Sequence, residues 1–160
     1  MNDEINILEA IKAKQSINLL RLYDVFKTKN NLYIITEFCE GKDVAKILRK
    51  KKILNEVEAQ SILRQLMNAY RELYELGVVH RDLKLANVFI RKGIVKLADF
   101  GFAIDYEKCQ EKFDYNVGSP YYMPPEALKF NRYSFKSDVW SFGILAYEMV
   151  FGHLPWKEKI

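Results

Sequence analysis

The short segment HRDLKLAN at residues 80–87, together with DFG at residues 99–101, constrains this chain more than any other feature. Between the two motifs, apolar runs at residues 87–91 and 94–98 flank Lys92-Gly93, which predicts a hairpin. Both polar motifs then lie on loops at the ends of paired strands. Two carboxylates, an ammonium group and an amide would meet there, a combination that suits a Mg²⁺ ion and a phosphoryl group in transfer.

The rest of the chain predicts further helices and a second hairpin. A long helix is predicted between Asn55, a capping residue paired with Glu58, and Gly77. Residues 19–26 and 32–38 predict another hairpin, residues 4–11 and 44–48 predict short helical segments, and residues 137–151 predict a second long helix. Residues 102–119 follow no period and predict a loop. The apolar stripe of the long helix comprises Ala59, Ile62, Leu63, Leu66, Ala69, Tyr70 and Leu73.

Composition narrows the class of protein. A chain of 160 residues, 49% of them hydrophobic, is expected to form one compact unit. The formal charge of +4 is modest, and the basic cluster at residues 46–52 is interpreted as a solvated helix end, so no nucleic-acid partner is predicted. Cys39 and Cys109 form no metal or disulfide pattern, which favours a reducing compartment. The sequence has no signal-peptide pattern and no apolar run of about 18 residues. We therefore expect a cytoplasmic protein without a membrane segment, with a nuclear location as the alternative.

The motifs, taken in order, resemble those of the protein kinases. HRDxKxxN and DFG are followed by Pro124-Pro125-Glu126 and by DVWSFG at residues 138–143. The resemblance covers nearly the whole chain and implies an incomplete protein-kinase-like α+β fold. Residues 1–37 would be a remnant of the small lobe, with one helix and a hairpin. Residues 38–42 would be the hinge, and residues 43–160 most of the mainly helical large lobe, without its last helices.

The resemblance implies a catalytic role for each residue of the central motif. Asp82 would accept the proton of the acceptor hydroxyl and align it, and Lys84 would neutralise the γ-phosphate of ATP. Asn87 and Asp99 would bind Mg²⁺, a cation that prefers oxygen ligands. The cofactors implied are therefore ATP and Mg²⁺, and the partners are protein substrates.

Further roles follow from the same resemblance. Backbone groups of Glu37 and Cys39 would bind the adenine edge, Asp43 a ribose hydroxyl, and Phe89 would form the floor of the adenine site. Taken alone, His80 would be a buried core histidine and Asp138 a helix cap. The resemblance instead places His80 in an internal spine and makes Asp138 the anchor of the catalytic loop. The structural or regulatory positions it implies are Glu4, Thr36 as gatekeeper, His80, Arg81, Phe100, Tyr115, Ser119, Glu126 and Asp138.

The substrate class follows from two segments. Lys84 and the sequence Gly118-Ser119-Pro120 resemble the serine/threonine kinases rather than the tyrosine kinases. Ala86 stands where several kinases that prefer basic substrates carry Glu, so no strong need for arginine near the acceptor is expected. A bulky residue at Phe102 is linked in the family to serine over threonine.

Control of activity is predicted at the activation segment. Arg81 implies a cationic pocket for a phosphate, but residues 102–118 contain neither Ser nor Thr. The usual phosphosite aligns with Tyr115. Two hypotheses stay open here, phosphorylation of Tyr115 and a permanent ion pair between Arg81 and Asp114.

The resemblance places a glycine-rich loop and the lysine partner of Glu4 before residue 1, and the arginine partner of Glu126 after residue 160. Two hypotheses about the whole protein follow. The chain is the central piece of a serine/threonine kinase, whose activity requires the other parts, or it is a non-catalytic module that binds partners. The presence together of Asp82, Lys84, Asn87 and Asp99 favours the kinase.

Overall fold

The computed structural model describes the backbone of residues 2–110 and 116–156, and the side chains of residues 5–109 and 116–156. It contains helices and small antiparallel sheets, which confirms the α+β class. In chain order the elements are α1 (Asn2–Lys14), β1 (Leu22–Lys27), β2 (Leu32–Thr36), α2 (Val44–Lys51), α3 (Glu56–Glu75), β3 (Val78–Val79), β4 (Val88–Arg91), β5 (Ile94–Leu97), β6 (Ile104–Asp105), α4 (Pro125–Phe130) and α5 (Phe135–Phe151), with 3₁₀ turns at Leu85–Asn87, Tyr106–Gln110 and Pro120–Tyr122.

Helix α1 and the β1–β2 hairpin form the N-terminal part of the fold. The helix buries Ile7, Leu8 and Ile11 at its three-and-four spacing. The strands pair antiparallel, with Val25 opposite Ile34 and a bulge near the start of β1. Because this sheet has only two strands, much of its apolar surface stays exposed. The hairpin is therefore confirmed, with strands shorter than the predicted runs.

The long helix α3 is confirmed as predicted. Asn55 accepts the backbone N–H of Glu58, and the Glu58 side chain accepts the Asn55 N–H, which forms a complete capping box. Gly77 follows the helix with a φ of 71°, a conformation that glycine adopts without strain. Six of the seven stripe residues are buried, and Leu63 is half-buried against the same core.

Helix α5 begins earlier than predicted. Its N-cap is Ser134, which forms a capping box with Ser137. Asp138 therefore lies inside the first turn, and its reading as a helix cap was wrong. This shift frees the Asp138 carboxylate for contacts outside its own helix.

The β4–β5 hairpin is also confirmed, with Val88 opposite Leu97 and Arg91 opposite Ile94. Two isolated bridges connect it to the rest of the fold, one from Leu19 to Leu97 and one from Asp43 to Phe89. The residues predicted as a loop contain the short strand β6, which pairs with β3, and a 3₁₀ turn. A two-residue strand pair has too little periodicity to be recognised in a sequence.

Candidate active site

Asp82 lies at the centre of the predicted site and is 3% exposed. Its Oδ2 atom accepts hydrogen bonds from Lys84 Nζ at 2.7 Å and from Asn87 Nδ2 at 3.1 Å. Within the described part of the chain, its other carboxylate oxygen, Oδ1, is buried and has no hydrogen-bond partner. A buried carboxylate oxygen in a native protein is normally paired, so this atom marks a position where a further donor is expected.

Lys84 connects the HRDLKLAN segment to Ser119. Its Nζ atom donates to Asp82 Oδ2 and also to Ser119 Oγ, at 3.0 Å. The side chains of Asp82 and Lys84 are 1% and 26% exposed, so solvent screens this ion pair only in part. The two contacts hold the ammonium group between the proposed base and a residue 35 positions further along the chain.

Asp138 holds the backbone of this segment from helix α5. Its two carboxylate oxygens accept the N–H groups of His80, at 2.8 Å, and of Arg81, at 3.0 Å. Burial raises the pKa of Asp138 to about 7, against the opposing effect of these two donors. The anchoring role implied for Asp138 fits this geometry.

The His80 ring is fully buried and takes part in two hydrogen bonds. Its Nδ1 atom accepts the Asp82 N–H at 3.3 Å, so Nε2 is the nitrogen that donates to the Ala98 carbonyl at 3.2 Å. Burial lowers the pKa of His80, which favours this neutral form. The ring also contacts the buried Phe100 ring, with 5.4 Å between centroids. Both residues are therefore part of the core, and neither side chain faces solvent.

Asn87 and Asp99, the predicted Mg²⁺ ligands, are brought together by the β4–β5 hairpin. The Ala98 N–H donates to the Asn87 carbonyl at 3.0 Å, and Asp99 follows with an exposed side chain and a φ of 66°. Because the Asn87 amide nitrogen donates hydrogen bonds to Asp82, the amide oxygen is the atom that suits a cation. One amide oxygen and one carboxylate fit Mg²⁺, which takes its other ligands from phosphate and water. No cluster of three His, Cys, Asp or Glu residues occurs in the described part of the chain.

Of the predicted nucleotide contacts, Glu37 and Asp43 lie on either side of residues 38–42, and Cys39 lies within that segment. Glu37 donates its N–H to the Arg21 carbonyl at 2.9 Å. The backbone group of Glu37 that would contact an adenine edge is therefore its own carbonyl. Asp43 caps helix α2 by accepting the Lys46 N–H at 2.8 Å, and its backbone pairs with that of Phe89. Sequence reasoning missed this capping role. Cys39 is half-buried, and the contacts of these residues with a nucleotide stay predictions.

Other predicted positions are only partly described. Thr36 is half-buried at the end of β2, opposite Leu22. Glu126 is half-buried, and its arginine partner stays a prediction. The Glu4 side chain, Asp114 and Tyr115 lie outside the described residues. Both hypotheses about the activation segment therefore stay predictions.

The described surroundings of Arg81 include two contacts that sequence reasoning missed. Its Nε atom donates to the Phe102 carbonyl at 2.6 Å. Its guanidinium group lies over the Tyr133 ring, 5.2 Å from the centroid. Tyr133 is buried and belongs to none of the sequence motifs. The only signal in the sequence was an aromatic residue next to the helix cap Ser134.

A second missed feature is a buried ion network around Glu37. The Glu37 carboxylate contacts Lys96 Nζ at 2.8 Å and Arg91 Nη1 at 3.3 Å, and it accepts the Arg21 N–H at 2.8 Å. The Glu37 and Lys96 side chains are 2% and 9% exposed. A lysine inside the apolar run of β5 was the available signal, because a buried lysine is nearly always paired.

Among the described residues, no helix is both long enough and apolar enough to cross a bilayer.

The family model described as "Protein kinase domain" matches residues 1–160. Serine/threonine-protein kinase ppk11 of Schizosaccharomyces pombe is 36% identical over 158 residues, which cover 98% of this chain and 50% of that protein. Serine/threonine-protein kinase atg1 of Dictyostelium discoideum is 40% identical over 161 residues, covering 95% and 23%. Serine/threonine-protein kinase PLK2 of Mus musculus is 35% identical over 141 residues, covering 88% and 21%. The chain thus spans half the length or less of these relatives.

Proposed function

Because this chain belongs to the protein kinase family, we propose that it carries the phosphoryl-transfer site of a serine/threonine kinase, which moves the γ-phosphate of ATP to protein hydroxyls. The observation that carries this proposal is the position of Lys84 Nζ, bonded to both Asp82 and Ser119. These contacts hold three groups as one unit: the proposed base Asp82, the ammonium group of Lys84, and Ser119, which follows the activation segment.

The reaction uses Asp82 as the proton acceptor. The substrate hydroxyl supplies the hydrogen-bond donor that Asp82 Oδ1 lacks, which aligns its oxygen with the γ-phosphorus. As the new O–P bond forms, the bond from phosphorus to the β–γ bridging oxygen breaks, and its electron pair leaves with ADP. The hydroxyl proton passes to Asp82, so the products are the phosphoprotein, ADP and one proton.

Charge on the transferring group is offset by Lys84. Because its ammonium group is held by two acceptors before substrate binds, little reorganisation is needed when charge develops on the phosphate oxygens. Asn87 and Asp99 are the residues that would hold Mg²⁺, whose chemistry when bound is to neutralise the phosphate oxygens. The hydrogen bonds from Asn87 Nδ2 to Asp82 O and Oδ2 fix the amide group, so its oxygen would be the atom that binds the cation.

The finer assignments are part of the same proposal. Glu37, Cys39, Asp43 and Phe89 bind the adenosine part of ATP, and Phe102, 40% exposed, favours serine over threonine. Residues 1–37 belong to a small lobe, 38–42 to the hinge and 43–160 to a large lobe. The similarity to serine/threonine-protein kinases supports the serine/threonine class, and we propose the cytoplasm as the location.

The test uses the full-length protein that contains this chain. Purified protein is incubated with Mg²⁺, radiolabelled ATP and matched peptides that differ only in Ser, Thr or Tyr at the acceptor position. We expect labelled serine and threonine peptides, with serine preferred, and no label on tyrosine.

The decisive comparison is Asp82→Asn against Asp105→Asn, a change at an exposed carboxylate of strand β6. Loss of the base is expected to lower kcat by about 10²–10⁴-fold, whereas the control keeps the wild-type rate. Full activity of Asp82→Asn contradicts the proposed mechanism. A folded wild-type protein with no activity and no ATP binding supports the non-catalytic module instead.

A further inference from the structure

Tyr133 contacts both Arg81 and Val117, and the proposed mechanism gives it no role. It lies between α4 and α5, next to Ser134, and is 5% exposed. Helix α5, which starts beside it, carries the Asp138 anchor of the catalytic loop. A buried tyrosine hydroxyl needs a hydrogen-bond partner, and the partners of this one lie in the activation segment.

The Tyr133 hydroxyl holds both polar backbone groups of one residue. Its oxygen accepts the Val117 N–H at 2.9 Å, and it lies 3.2 Å from the Val117 carbonyl, to which it can donate. The Asn116 Oδ1 atom, at 3.4 Å, is a more distant alternative acceptor. The peptide groups around Val117 therefore cannot shift without losing hydrogen bonds to Tyr133.

The Tyr133 ring faces the catalytic loop. The Arg81 guanidinium group lies 5.2 Å from the ring centroid, a distance at which a cation is attracted to an aromatic face. Arg81 comes directly before Asp82, and its N–H is held by Asp138. The two ends of the Tyr133 side chain thus contact two different parts of the site.

Val117 is followed directly by two residues, Gly118 and Ser119, that contact Arg81 and Lys84. Gly118 packs so tightly against the Arg81 carbonyl that a Cβ atom at Gly118 would lie 2.3 Å from that oxygen. The next residue, Ser119, accepts the hydrogen bond from Lys84. A displacement of Val117 would therefore move the hydroxyl that helps to hold Lys84.

We propose that Tyr133 is a positioning residue for phosphoryl transfer, which acts by holding Val117 so that Ser119 reaches Lys84 and by supporting the Arg81 guanidinium. The inference rests on the proposed kinase function. It assigns to a residue outside the sequence motifs the task of coupling the activation segment to the catalytic loop.

The experiment uses the full-length protein and three changes. Tyr133→Phe keeps the ring and removes the hydroxyl, Tyr133→Leu removes both, and Tyr74→Phe is the matched control at a tyrosine of α3 that is 59% exposed. We expect kcat to fall roughly tenfold in Tyr133→Phe and on the order of a hundredfold in Tyr133→Leu, with little change in the KM for ATP. The control keeps the wild-type kcat.

A double-mutant cycle separates positioning from a general structural role. If Tyr133 acts through Ser119, then Tyr133→Phe lowers kcat by less than about twofold when Ser119→Ala is already present. Independent of activity, hydrogen exchange at the Val117 amide should be faster in Tyr133→Phe than in the wild type or in Tyr74→Phe.

The possible results distinguish failure of the positioning role from failure of the kinase function. Multiplicative effects in the cycle, unchanged exchange at Val117, or a Tyr133→Phe protein with wild-type kcat overturns the positioning role while the kinase function stands. A wild-type protein that transfers no phosphate contradicts the proposed function, and this inference then fails with it.

Discussion

The Asp138 carboxylate accepts the backbone N–H group of His80 at 2.8 Å, although the two residues are 58 positions apart. Asp138 is 1% exposed and His80 is fully buried. Since the Arg81 N–H donates to the other oxygen, one side chain of helix α5 satisfies two amide groups just before Asp82. The backbone just before Asp82 is thereby fixed to helix α5.

Replacement of Asp138 should therefore destabilise the protein. Asp138→Ala leaves two N–H groups without an acceptor and is expected to lower the free energy of unfolding by about 3 kcal/mol. Asp138→Asn keeps one acceptor oxygen and should cost about half as much. Urea denaturation measures both against Asp105→Asn, and equal stabilities for Asp138→Ala and the control would contradict the anchoring role.

Gly118 and Gly77 provide a matched pair of backbone positions. Both have positive φ, 102° and 71°, but a Cβ atom at Gly77 has no neighbour within 4 Å. Gly77→Ala should cost only the backbone strain, about 1 kcal/mol. Gly118→Ala must also displace the Arg81 carbonyl, so we expect a further loss of stability and a fall in kcat of at least about tenfold. Similar kcat values for the two variants would show that the contact with Arg81 does not matter.

The buried ion network around Lys96 should depend on the charge of Glu37. Glu37→Gln leaves Lys96 without its carboxylate, whereas Arg91 keeps Glu40 at 3.8 Å. Removing one member of a buried ion pair costs about 3–5 kcal/mol. Adding Lys96→Met removes the main uncompensated cation and should restore part of that stability. Thermal and urea denaturation of both single variants and the double variant measure the coupling. Purely additive losses would mean that the pair contributes nothing beyond its separate parts.

The two cysteines should differ in reactivity. Burial raises the pKa of Cys109 to about 11, so about one thiol in a thousand is ionised at pH 8. Cys39 is half-buried, and its pKa is raised as well, mainly by burial. We expect iodoacetamide to label Cys39 first, and the labelling of Cys109 to speed up as pH rises because its thiolate fraction increases. Mass spectrometry of Cys39→Ser follows Cys109 alone, and rapid labelling of Cys109 at pH 7 would contradict its burial.

Helix α3, its capping box and the β4–β5 hairpin were predictable because each depends on residues close in sequence. The start of α5 was misplaced because two capping patterns, Ser134 and Asp138, overlap within one helical turn, and only packing distinguishes them. Asp43 was assigned a ligand role alone, although its side chain also caps α2. The β3–β6 pair was missed because two residues are too few to show a period.

The order and spacing of HRDLKLAN, DFG and the later motifs were enough to indicate the α+β class, the kinase family and the residue types of the site, since these depend on local sequence. The hydrogen bonds of Lys84 to Ser119, of Asp138 to His80 and of Tyr133 to Val117 join segments that are distant in the chain. No periodicity or motif encodes such contacts, because they arise when separate elements pack around one core. The folded chain alone shows that Lys84 is held from two sides, and that Tyr133, which lies outside every motif, contacts both Arg81 and Val117.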